Sequence, residues 1–372
     1  MVNIQFSPTL ISWKRTLARA SLHARSLSQT SPYVRLAILI ALEVVIIAVT
    51  FCTNFLSGFV FTNFFDFEAS KASAINNARR VIRAERALGL FIEESVQAWN
   101  AKYIGGWSFW NTYYAGAHPV VTAGTLVVLL VRMLYWKTFR SNWKRLRSSI
   151  TPTSATTTTS ADDDDDDLDR LDRPFHEQTP SQQYYFLRSV WVLGAWLAFI
   201  GFVTIPTMPP RLIPECNSVN NAGIAVGACL PQEYSFMDTI GRFGSLLWDW
   251  DDPSVKTLNN PYAAFPSQHS LFAGWVAMVW IRLWGPAVRP ASLFRKPTPY
   301  WLHTLGRWSI VLYPALTIYC IVVTANHYLL DAVGGMAALV ISYLAVSWWT
   351  ARRARSAKTS SRSMSSHEML PI

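Results

Sequence analysis

Two short strings stand at the mouths of apolar runs of membrane length: Pro266-Ser267-Gln268-His269-Ser270 and His327-Tyr328-Leu329-Leu330-Asp331. His327 and Asp331 are four residues apart, so on a helix they share a face one turn apart. A neutral imidazole at His327 can attack phosphorus, and Asp331 would fix its tautomer and stabilise the cation that forms. A second histidine, His269, can protonate the departing oxygen and then activate an acceptor. Arg211 offers a guanidinium fork for phosphate oxygens. A helix beginning near Ser267 adds amide donors and a positive dipole end, and Pro266 suits its first turn. These residue types fit a two-step transfer of a phosphoryl or phosphodiester group, finished by water or by an alcohol.

The elements that must position them are membrane helices. The chain has 372 residues, 51% hydrophobic and only 15% charged, against about 25% charged in soluble domains. Six apolar spans are predicted, at 36–62, 109–136, 185–205, 264–283, 306–325 and 327–350, each near bilayer length. The expected fold is all-α: a polytopic membrane protein with six transmembrane helices. Its core would be residues 34–350, between a basic arm at 1–33 and a disordered basic tail at 351–372. Glu43 falls inside the first span and should face protein rather than lipid.

Lys/Arg placement orients the spans. Both termini and the connections after the second and fourth spans hold 23 Lys/Arg, and the opposite side holds 9. The richer side is expected to be cytosolic. On that topology Arg211, Ser267, His269 and His327 all fall on the other, lumenal side. The net charge of +10 follows the same loops, so it does not point to nucleic acid.

Residues 72–104 mix Ile75, Val81, Ile82, Leu88, Leu90, Phe91 and Ile92 with Arg79, Arg80, Arg83, Glu85, Glu93 and Glu94, and predict an amphipathic helix lying on the lumenal surface. Residues 151–181 are Thr-rich and Asp-rich without apolar periodicity, as expected of a disordered cytosolic insert. The run Asp162–Asp167 matches an acidic magnesium motif only as low complexity does, and on the side away from the histidines. Cys216 and Cys229 share one lumenal loop and are expected to form a disulfide, whereas Cys52 and Cys320 lie within spans.

Taken together, Pro-Ser-x-His-Ser followed by His-x-x-x-Asp resembles the type 2 phosphatidic acid phosphatase superfamily. Pro206-Thr207-Met208-Pro209-Pro210-Arg211, Asn260-Pro261-Tyr262-Ala263-Ala264-Phe265 and Asn326-His327-Tyr328 resemble its inositol phosphorylceramide synthase-like branch. So do Glu85 through Gln97, and Asn111, Tyr114 and His118. The resemblance covers about 75–350. It implies a phosphohistidine at His327, acid–base work by His269, phosphate binding by Arg211 and Ser267, and neither metal nor cofactor. Tyr114, His118 and Asn326 become candidates for the substrate pocket.

Two cations usual in the superfamily's phosphatases are missing. Thr204 stands seven residues before Arg211, and Ile321 six before His327. A phosphomonoester carries close to two negative charges at neutral pH and a phosphodiester one. A site with one remaining cation therefore leans towards head-group transfer of the inositol phosphate type, from a membrane lipid to a lipid alcohol, in the Golgi or endoplasmic reticulum. The alternatives are a phosphatase for phosphatidate, sphingoid-base phosphate or prenyl diphosphate, and a non-catalytic membrane relative or lipid carrier. A zinc site built from His269, His327 and Asp331 would set a dication beside Arg211.

Overall fold

The computed structural model describes residues 31–64, 66–150, 175–213, 234–247, 260–284 and 300–367. Cys216, Cys229, the arm at 1–30 and the acidic run lie outside them. The described residues form helices and no strand, with one isolated backbone bridge between Thr207 and Ala263. Residues through Cys52 form one compact unit and residues from Thr53 a second, which holds every candidate site residue. The first unit contributes α1, Pro32–Phe51. The second contributes α2 (Thr53–Phe64), α3 (Phe67–Leu88), α4 (Glu93–Tyr103), α5 (Trp107–Ile150), α6 (Pro180–Thr204), α7 (Thr239–Phe243), α8 (Gln268–Trp284), α9 (Tyr300–Ser309), α10 (Leu312–Val323) and α11 (Leu329–His367).

Four helical stretches are long and apolar enough to cross a membrane: Trp107–Arg140, Pro180–Thr204, Thr304–Val323 and Leu329–Ser356. A fifth appears if Leu36–Phe51 and Thr53–Val60 count as one broken span. The expected first span is thus interrupted at Cys52. The expected fourth is α8, whose 17 residues reach only about 26 Å, short of a hydrocarbon core of about 30 Å. Burial explains how α8 stays so apolar: Leu271, Phe272, Ala273, Trp275, Val276 and Val279 are enclosed by protein. The last helix runs 17 residues past the expected end of its span, through His367, because no Gly or Pro interrupts 336–367.

The amphipathic segment is two helices rather than one. Gly89, at φ 68°, ends α3 in the left-handed conformation that glycine adopts without strain. Its buried stripe is Ala74, Ala78, Ile82 and Glu85, while Leu88 and Ile92 are exposed. Glu85 and Glu93 were expected on the polar outer face. Both are instead fully buried.

Around α8 pack α5, α6, α10 and α11. The Trp275 indole donates to Leu187 O at 2.9 Å, and Trp280 to Thr125 Oγ1 at 3.1 Å. At its start, α8 meets α11 so closely that a Cβ on Gly335 would fall on Ser267 O and the Ser270 hydroxyl. This contact sets the two histidine-bearing helix ends side by side.

Candidate active site

Three loops converge through their backbones. Thr207 N donates to Tyr262 O (2.8 Å), and Ala264 N to Thr207 O (3.2 Å). Arg211 N donates to Ala325 O (2.8 Å), and Ser267 N to Asp331 O (2.9 Å). Each bond joins segments far apart in sequence, so the loop around Arg211, the start of α8 and the start of α11 hold one another.

His327 is 2% exposed, and its Nδ1 lies 2.8 Å from Ala264 O. A carbonyl only accepts, so Nδ1 carries the proton and Nε2 keeps its lone pair. That Nε2 is 3.3 Å from His269 Nδ1. Since Nε2 accepts, His269 Nδ1 donates. The two rings thus share one proton at the place where a phosphorus atom would enter.

Asp331 does not hold His327 in the expected way. Its Oδ2 is 3.6 Å from Nδ1, beyond hydrogen-bond range but close enough for its charge to favour an imidazolium. Instead Oδ2 accepts from Tyr328 N at 2.9 Å, the reach-back of a capping box. Ala264 O takes the tautomer-fixing role. Asp331 lies on the Nδ1 side and His269 on the Nε2 side, so these three do not converge on one ion. Among the described residues no group of three or more His, Cys, Asp or Glu could hold a metal.

The next two amides of α11 are also bound by carboxylates. Leu329 N donates to Glu93 Oε1 and Leu330 N to Glu85 Oε1, both at 2.7 Å. Burial raises the Glu85 carboxyl to about 9, with Glu93 and Asp331 pushing the same way. The shift favours the protonated form of Glu85 beside the Glu93 carboxylate. The Oε2 atoms of both glutamates are buried and meet no hydrogen-bond donor among the described residues. Burial likewise pushes the Tyr328 phenol well up, away from ionisation.

Arg211 reaches both neighbours. Its Nε donates to Asn326 Oδ1 at 2.8 Å and its Nη1 to Asp238 Oδ1 at 3.0 Å. Asp238 Oδ1 also accepts from Gly241 N at 3.2 Å, capping α7. The arginine charge is thus opposed by a fixed carboxylate. Ile321, six residues before His327, is buried, and its carbonyl accepts from His327 N at 3.2 Å. Thr204 is spent on Ile200 O.

From α5, Tyr114 stacks on His269 with centroids 4.2 Å apart, and His118 lies 4.2 Å from the same ring. Ser267 is fully buried before α8 and accepts weakly from Ser270 N at 3.4 Å. Pro266 precedes the helix instead of starting it. The structure thus brings together His327, Asp331, His269, Tyr114 and His118, and ties Arg211 to Asn326.

Sequence reasoning missed Glu85 and Glu93 as partners of α11, and Asp238 altogether. It named Gln97 and Asn111 only within the resembling strings and gave them no role; the Gln97 side chain bonds Met237 N and O and Val323 O, and Asn111 bonds Thr239 and Gly244. Spacing held no signal for Asp238. For Glu85 the signal was its register with Ala74, Ala78 and Ile82.

Residues 178–295 and 298–345 match the family model described as the PAP2 superfamily, whose members are phosphatases and phosphotransferases. The match supports the type 2 phosphatidic acid phosphatase superfamily. It contains Arg211, Ser267, His269, His327 and Asp331, and leaves out α3 to α5, which supply Glu85, Glu93, Tyr114 and His118. No curated protein and no solved structure matches the chain.

Proposed function

We infer that this protein is a membrane-embedded phosphotransferase acting on a lipid phosphodiester, through a phosphohistidine at His327. The observation that carries the reading is the Nε2 lone pair of His327, oriented by Ala264 O and met by His269. In the first step Nε2 bonds to phosphorus, the bond from phosphorus to the lipid oxygen breaks, and His269, entering as an imidazolium protonated on both nitrogens, gives that oxygen its Nε2 proton and is left neutral. In the second, a lipid hydroxyl loses its proton to His269 and attacks phosphorus, and the P–N bond breaks. Asp331 favours the cationic intermediate through its charge.

Charge balance supports a diester. Arg211 is the cation tied to this cluster, and Asp238 offsets it. A dianionic monoester would bring one more uncompensated charge than a diester into a site that is largely buried. Inositol phosphate as the group moved, and a ceramide-type alcohol as acceptor, follow from the sequence resemblance. With it go six spans, α8 serving as the short fourth, and a pocket facing the lumen of the Golgi or endoplasmic reticulum.

The test uses purified protein in mixed micelles with EDTA. Headgroup-labelled phosphatidylinositol plus ceramide should yield labelled inositol phosphorylceramide, and an acid-labile label on the wild-type chain that His327→Ala lacks. Free phosphate released from phosphatidate, with no transfer product, would replace this reading with a phosphatase.

A further inference from the structure

The far ends of the same helices line an open cavity of about 570 Å³, within the range of small-ligand sites. Its walls include Phe175, Tyr185, Arg282, Tyr343, Trp349 and Arg353. Trp349 is 20 residues along α11 from Leu329, about 30 Å by helical rise, so this cavity is separate from His327.

Cations gather around it. Arg282 donates to the Tyr343 hydroxyl at 2.6 Å and lies 5.2 Å over the Phe175 ring. Arg353 sits 4.4 Å over Trp349. Lys137 and Arg188 each lie 5.6 Å from the ring of Tyr185. Among the described residues none that lines it is Asp or Glu. The guanidinium groups of Arg282 and Arg353, held against ring faces, keep N–H edges available for an anion. Arg282 and Arg353, two like charges on one concavity, raise a positive potential that an anion would relieve.

The surroundings point to a lipid. The membrane-length stretch of α11 ends at Ser356, and Trp348 and Trp349 are more than half exposed just before it. Arg352 lies 5.3 Å over Trp348. Exposed tryptophans followed by arginines mark the level of lipid headgroups. We propose that this cavity binds the phosphate-bearing headgroup of an anionic lipid, in the leaflet opposite the catalytic pocket. The proposal depends on α11 crossing the bilayer, not on the chemistry assigned to His327.

The full chain in phosphatidylcholine micelles would be titrated with phosphatidylinositol 4-phosphate while its unfolding temperature is followed. Wild type and Arg211→Gln should show the same upward shift of several degrees, as expected for ligand at about 100 times its Kd. Arg282→Gln/Arg353→Gln should lose the shift and keep its turnover, which also reports folding. Ser347→Glu adds a carboxylate to the cavity wall while leaving both arginines in place, and should lose the shift too. An undiminished shift in both variants overturns the proposal. So does a shift lost in Arg211→Gln, which would place the lipid in the catalytic pocket. An equal shift with water-soluble inositol 1,4-bisphosphate would make the ligand a free phosphate ester and overturn its identity as a lipid.

Discussion

Two helix starts face each other in this molecule, and they are used in opposite ways. The start of α11 is closed by acids: the amides of Tyr328, Leu329 and Leu330 go to Asp331, Glu93 and Glu85. The start of α8 is capped by Ser267 and carries His269 against Tyr114, His118 and His327. A helix start is normally a site for anions. At α11 that capacity is already filled by carboxylates, which anchor the turn that follows His327. At α8 the first turn is left, in the proposed chemistry, to the reacting group. The contrast shows that an N-terminus can serve as a fixed mount or as a binding edge, and that neighbouring carboxylates decide which.

The largest effect should come from the ring that joins the two starts. His327→Ala is expected to lower turnover by about 10⁴-fold or more while the protein stays folded in the membrane. Transfer assays beside a thermal melt check both halves. Retained activity would remove His327 from the chemistry and dissolve the comparison.

The mount comes next. Glu93→Ala leaves a buried amide without an acceptor and should destabilise the fold by about 1–3 kcal/mol. Glu85→Gln keeps an acceptor for Leu330 N and should cost far less. Denaturant melts in mixed micelles would separate them, and equal losses would mean that the carboxylates merely fill space.

The same mount predicts a pH dependence. Glu85 moves from an ordinary value of 4.5 to about 9 on folding, so the folded chain holds the extra proton between those values. Stability should therefore fall as pH rises through that window, and Glu85→Gln should flatten the slope. Melts between pH 6 and 10 read this out, and a variant as steep as wild type would rule out Glu85 as its source.

The smallest effect sharpens the binding edge. Asp238→Asn keeps an acceptor for Gly241 N and removes the charge opposing Arg211. Monoester turnover should rise relative to diester by about 5- to 10-fold, a change of about 1 kcal/mol in transition-state free energy. An unchanged ratio would show that Asp238 has no part in substrate charge preference.

Much of this was legible in the chain. Apolar runs predicted an all-α membrane protein because hydrocarbon permits backbone only when it bonds to itself. The spacing of His327 and Asp331 placed them near each other, 3.6 Å apart, although His327 precedes α11 and does not lie on its first turn. Span counting was less reliable at α8, where an apolar helix is short and enclosed, since hydropathy does not distinguish burial in lipid from burial in protein. The surface reading of Glu85 and Glu93 went wrong for a related reason: charge type predicts exposure unless a partner helix start supplies donors.

Sequence by itself determined the helical class, the apolar elements and the identity of the histidines, arginine and aspartate, because these depend on local periodicity and side-chain chemistry. Tertiary structure alone decided which nitrogen of His327 carries the proton, since its partner is the carbonyl of Ala264, 63 residues away. It likewise decided that Asp238 faces Arg211 and that two glutamates from α3 and α4 cap α11. Backbone carbonyls and amides are the same at every position, so the place where they meet a side chain is written in the packing and not in residue type.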